Sequence, residues 1–204
     1  MKERPILMSG EMVRALLSGK KTQTRRMLKV QPLDVLTNRP PWELKNTRML
    51  NGCRCWFALM TQNPNTGLAF RCRHGEVGDR LWIKETFQPI QLASEVTQWR
   101  YRATDEKGLA PWKPSIFMPR KASRINLEIL KVKVQRLHDM TDSDAVAEGI
   151  GSAMDRLCTN YHGKWINLYR ELWERINGKA SWDKNPWVWV IEFKRCLNEM
   201  KEQV

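Results

Sequence analysis

Near the C-terminus the chain reads Trp187-Val188-Trp189-Val190-Ile191-Glu192-Phe193, apolar at nearly every position. A half-exposed strand alternates apolar and polar residues, whereas one that does not alternate is covered on both faces. This segment therefore predicts a central strand, and the rest of the chain has to be arranged around it. At 204 residues and roughly 100–200 residues per domain, the expectation is one domain over 1–196 and a polar tail over 197–204. Hydrophobic residues are 42% and charged residues 28% of the chain, which excludes wholesale disorder.

The other elements follow from pattern. Pro5 to Met8 reads as an opening strand, and Ser9-Gly10 starts a helix with Met12, Val13, Leu16 and Leu17 on its apolar face. Gly19 suits the left-handed residue that ends such a helix. Gly19 to Arg26 is too polar for a core element and reads as a loop entering a strand toward Val30. Leu81 to Phe87 alternates, and Trp99 to Ala103 is a further strand. Ser115 to Met118 is expected to be short and extended. In Asn126 to Leu137 the apolar residues switch from odd positions (Leu127, Ile129) to even ones (Leu130, Val132, Val134). One extra residue near Ile129-Leu130, a β-bulge, accounts for the switch.

Thr141 followed by Asp142 and Asp144 has the form of a helix N-cap, with Gly149 closing the helix. A second helix is expected from about 163 to 176. Its Trp165, Leu168, Tyr169, Leu172, Trp173 and Ile176 recur at i, i+3, i+4, which favours core packing over a base-stacking platform. Residues 31–78, rich in proline and turn residues, read as an irregular insertion. The expected fold class is α+β, with about six strands and two or three helices.

Charge limits the partners. Lys and Arg number 35 against 22 Asp and Glu, a net charge of +13, which favours polyanions and nucleic acid first. No apolar run reaches the ~18 residues of a membrane span. No secretory signal is read at Met1 to Pro5, so a cytoplasmic protein without membrane association is expected. Five cysteines, an odd number, argue against a disulfide framework. Cys53, Cys55, Cys72 and His74 have zinc-type chemistry, but their one-residue spacing is too short for common knuckles and arginines crowd them. No metal and no cofactor are expected. Gly19-Lys20-Lys21-Thr22 is not a P-loop, because Lys21 stands where Ser or Thr is required. The densest basic run, Lys20 to Lys29, holds Thr22 and Thr24. It reads equally as a solvated loop or as a phosphate-binding or nucleophilic site.

Four blocks together carry a resemblance. Gly19-Lys20-Lys21-Thr22-x-Thr24-x-Arg26 resembles the helix-end motif G-x-K-T-x-T-x-R of ASCH domains, and Gly78 to Thr86 resembles their G-D-x-L-W-V-R-E-T strand. Met118 to Ile125 and Asn185 to Val190 look like the phage and prophage branch of the same family. The resemblance implies a PUA-like β-barrel flanked by helices and a cleft for RNA or a modified nucleoside. It also implies N(4)-acetylcytidine amidohydrolase chemistry with Lys21, Thr24 and Glu148 as catalytic residues. Lys20, Thr22, Arg25, Arg26, Lys84, Arg120, Ser123 and Arg124 are then the candidate substrate or nucleic-acid contacts. The alternatives are a metal-independent ribonuclease, with Lys21, Arg26 and Arg120 on the phosphate, and a non-enzymatic RNA-binding module of phage origin.

Overall fold

A computed structural model of the chain describes residues 1–29, 31, 46–50, 53–59, 67–92, 95–105, 107, 110–151 and 165–196. The fold is α+β. Its main sheet has five strands: β1 (Glu3–Leu7), β2 (Gln23–Met27), β6 (Arg80–Lys84), β9 (Asn126–Arg136) and β10 (Trp187–Cys196). Their order is β1-β6-β9-β10-β2, with β1 parallel to β6 and the other pairs antiparallel. Among the described residues β1 and β2 are the edges, and no pairing closes the sheet into a barrel.

Strand β10 lies inside the sheet between β9 and β2. Its Trp187, Trp189, Ile191 and Phe193 pack on one side with Val13 and Leu16 of helix α1 (Gly10–Leu17) and with Leu81, Ile83, Leu127 and Ile129. Val188 and Val190 pack on the other side with Leu168, Tyr169, Trp173 and Trp182. That second layer holds helices α2 (Asp142–Ala147) and α3 (Trp165–Asn177). A strand buried on both faces has no polar side to show, and this is why β10 lacks alternation. The stripe on α3 is core: Leu168, Tyr169 and Trp173 are all buried.

Local signals hold the helix ends. The Ser9 hydroxyl accepts from Met12 N at 3.3 Å at the start of α1. Thr141 Oγ1 accepts from Asp144 N at 3.2 Å, and Asp144 Oδ2 accepts in return from Thr141 N at 3.1 Å. On β9, Lys131 lies opposite Glu192 and Ile129 opposite Phe193, so Leu130 is the extra residue of a bulge. Leu130 turns outward and is 46% exposed.

Three expectations are corrected. The stretch 31–78 is not simply irregular: it holds β3 (Asn46–Leu50), β4 (Cys53–Leu59) and β5 (Gly67–Phe70), which form an antiparallel sheet. Leu50 lies opposite Cys53, so only Asn51-Gly52 separates β3 from β4 in sequence, a residue pair that favours two-residue hairpin loops. With β7 (Phe87–Leu92) and β8 (Glu95–Tyr101) paired as a further ribbon, the described residues contain ten strands, more than expected. Ser115–Phe117 is a turn of 3-10 helix rather than extended chain. Among the described residues no helix is long and apolar enough to cross a membrane. The tail 197–204 lies outside the described residues.

Candidate functional site

Strand β2 is short and polar, and among the described residues it is held only by β10 within the sheet. Side chains alternate along it. Arg25 pairs with Val190 and Gln23 with Glu192, so both point to the face that α2 covers. Thr24 and Arg26 point to the other face. Because β2 is an edge, groups from both faces meet around its free side.

Glu148, the residue that ends α2, is where this edge converges. Lys21 Nζ donates to Glu148 Oε2 at 2.8 Å and to the Glu148 backbone oxygen at 2.7 Å, across 127 residues of sequence. Arg25 Nη1 donates to Glu148 Oε1 at 3.3 Å. Arg25 Nη2 forms an ion pair with Asp144 Oδ2 at 3.1 Å without hydrogen-bond geometry, and Gln23 Nε2 donates to Asp144 Oδ1 at 3.3 Å. The side chains of Lys21 and Arg25 are 0% exposed and that of Glu148 is 2% exposed. Two cations and two carboxylates thus form a buried chain between β2 and α2.

Burial pushes the Lys21 ammonium below its ordinary range, and Arg26 and Arg25 push the same way against the attraction of Glu148. Arg25 still neutralises Glu148 when Lys21 gives up its proton. A neutral lysine is therefore attainable here, and a neutral lysine is a base. Burial raises the Tyr169 phenol well above its ordinary value and Glu148 adds to this, so its hydroxyl stays protonated.

Thr24, Arg26, Glu148 and Tyr169 line one small cavity of about 50 Å³, closed on its far side by Trp173 and Ile176 of α3. Lys21, bonded to Glu148, is not part of that lining.

Gly149 sets the distance between the two halves of the site. Its φ of +87° is a left-handed conformation, and a Cβ there would lie 2.8 Å from Ala15 Cβ and 3.1 Å from Lys21 Cβ. Gly149→Ala is expected to lower stability by about 1–3 kcal/mol through the backbone alone, with overpacking in addition. Thermal melts of the two proteins measure this loss. An unchanged melting temperature would show that the turn is not pinned.

The remaining expected site residues go elsewhere. Lys20 and Thr22 are exposed. Arg120 Nε and Nη2 donate to Glu3 at 2.9 and 3.2 Å, and its guanidinium lies over the Trp82 ring. Arg124 grips the buried Glu85 with two bonds of 2.9 and 3.0 Å and stacks on Tyr101 at 3.9 Å. Ser123 Oγ donates to the Ile83 oxygen at 2.8 Å. These three brace β1, β6 and the ribbon rather than joining the Lys21 cluster. Lys84 and Arg26 both line a second depression beside β1. Sequence reasoning missed Gln23, Asp144 and Tyr169. Asp144 was visible only as a capping residue and Tyr169 only as part of an apolar stripe.

Cys72 is a free, buried thiol, pushed up to about 11 chiefly by burial. The side chains of Cys53 and Cys55 lie outside the described residues. Burial and the charges of Arg26, Arg73 and Arg4 depress His74 to about 4. Its ordinary value is about 6.5. Between pH 6.5 and 4 the unfolded chain takes up a proton that the folded one refuses, so stability falls as the pH falls through that window. Urea unfolding at pH 7 and pH 4.5 is expected to show a smaller acid loss for His74→Gln than for the parent. Equal losses would assign the acid sensitivity to other groups.

Comparison with family models, with curated proteins and with solved structures finds no match. The functional reading therefore rests on the chain's own residues.

Proposed function

We propose that the chain is an ASCH-type amidohydrolase that removes an acyl group from the N(4) amine of an acylated cytosine. The proposal includes a PUA-like fold for the sheet and its flanking helices, on the strength of the four sequence blocks. One observation carries the chemistry: Lys21 and Glu148 form a buried 2.8 Å pair across 127 residues, with Thr24 and Glu148 lining one cavity.

In this reading neutral Lys21 takes the proton of the Thr24 hydroxyl. The oxygen attacks the acyl carbonyl carbon, the C–N bond breaks, and the cytosine amine leaves with the proton that the Lys21 ammonium returns. Water then hydrolyses the threonine ester, releasing the carboxylic acid and restoring the hydroxyl. Glu148 holds the lysine ammonium formed in the first step. Arg26, at the cavity wall, is placed to attract the developing oxyanion.

Incubation with N(4)-acetylcytidine and separately with mixed RNA, read by mass spectrometry, tests the proposal. Loss of 42 mass units (~42, one acetyl replaced by hydrogen) from the nucleoside is expected. RNA cleavage without deacetylation would favour a ribonuclease, and no reaction with either would favour a binding module.

A further inference from the structure

A second depression of about 330 Å³ opens beside the small cavity, between β1, β2, β6 and the 3-10 turn at Ser115–Phe117. Arg26, Arg73, His74 and Lys84 supply its polar lining, and Leu7 and Ile116 are among its apolar walls. No acidic residue lines it among the described residues. Three cations converge on a concave, partly apolar surface, which focuses positive potential at its centre.

Two of the cations are held in place. Arg26 Nη2 donates to the Leu7 oxygen at 2.6 Å, which fixes the guanidinium, while its Nε is buried without a hydrogen-bond partner. Lys84 Nζ donates to the Ile116 oxygen. Among the described residues Arg26, Arg73 and Lys84 form no ion pair within 4 Å, unlike Arg120 and Arg124, although Glu148 attracts Arg26 from the neighbouring cavity. Mutual repulsion of this kind is relieved by an anion. A guanidinium fork beside an ammonium matches phosphate geometry.

Arg26 and Met27 also line the small cavity that holds Thr24 and Glu148, so the two hollows share one wall. We infer that the depression formed by Arg26, Arg73, His74 and Lys84 is a phosphate subsite, and that the acylated cytosine is taken as a phosphate ester rather than as a free nucleoside. The identity of the base rests on the amidohydrolase reading; the phosphate subsite does not. The ester belongs either to a mononucleotide or to a strand, and the two share the same chemistry.

Binding without turnover tests the subsite. Calorimetric titrations would use cytidine, cytidine 5′-monophosphate, the diester dinucleotide of cytidine and inorganic phosphate. One or both phosphate esters are expected to bind at least roughly tenfold tighter than cytidine, since one charge-assisted hydrogen bond contributes that much. Arg73→Gln and Lys84→Gln, singly and together, are expected to erase the advantage, and Lys84→Arg to keep most of it. Inorganic phosphate is expected to raise the His74 pKa from about 4, read from its ring resonances by NMR. Tighter binding of the monophosphate assigns the subsite to a nucleotide, and tighter binding of the diester assigns it to a strand. Equal affinity of cytidine and both esters overturns the inference. So does a phosphate preference that survives loss of both Arg73 and Lys84 in variants whose melts show them folded. Failure to deacetylate any compound would sink the amidohydrolase reading and leave these titrations decisive for the subsite.

Discussion

Lys21→Met is expected to lower deacetylation of N(4)-acetylcytidine by about 10²–10⁴-fold, the range that a positioned acid–base group supplies. Methionine keeps most of the volume and removes the nitrogen. The backbone oxygen of Glu148 loses a donor, but the carboxylate keeps Arg25. Thr24→Val removes only the hydroxyl, at a side chain that is 1% exposed, and should give a loss at least as large. Initial rates by mass spectrometry, with thermal melts of each variant, separate lost chemistry from lost fold. A wild-type rate for Thr24→Val would remove the nucleophile assignment and leave Lys21 to activate a water.

Glu148→Gln has the largest expected cost in stability. It leaves Lys21 and Arg25 buried without their shared carboxylate, and breaking such a pair from one side costs about 3–5 kcal/mol. At about 2–4 °C per kcal/mol for a chain of this size, the melting temperature should fall by about 6–20 °C. Asp144 still faces Arg25, which places the result toward the lower end. The double variant Lys21→Met/Glu148→Gln should recover part of the loss, because it removes a buried cation together with its anion. Losses that simply add would show that the two groups are not coupled, and the buried pair would then not explain the stability.

What was legible in the sequence was short-range. The apolar run at Trp187–Phe193 identified a central strand, and the phase switch at Ile129-Leu130 located the bulge at Leu130. Thr141 was legible as the N-cap, and the structure adds that Asp144 closes a capping box with it. Strands β3 to β5 were hidden because proline and turn residues surround them. Lys21 and Thr24 stood in a basic run that read equally as a loop or a site, and Glu148 was reached only through a motif resemblance. Nothing in local pattern places Glu148 against a residue 127 positions away. Arg120 and Arg124 read as free cations for the same reason: their carboxylate partners are 117 and 39 residues distant, and only the fold brings them together.

The two margins of the main sheet also bear on self-association. An open strand edge invites another chain to add to it. On β1, Pro5 lacks the backbone donor that a new neighbour needs, and Glu3 and Arg4 flank it. On β2, the consecutive Arg25 and Arg26 guard the opposite margin. Arg25 is already buried against α2, so a strand added there would meet the half-buried Arg26. Arg26, one of the charges that lower the Lys21 pKa, thus also sets a cation at that border. Variants that neutralise Arg26 to probe chemistry expose a bare β margin, so their loss of activity has to be read alongside their light scattering.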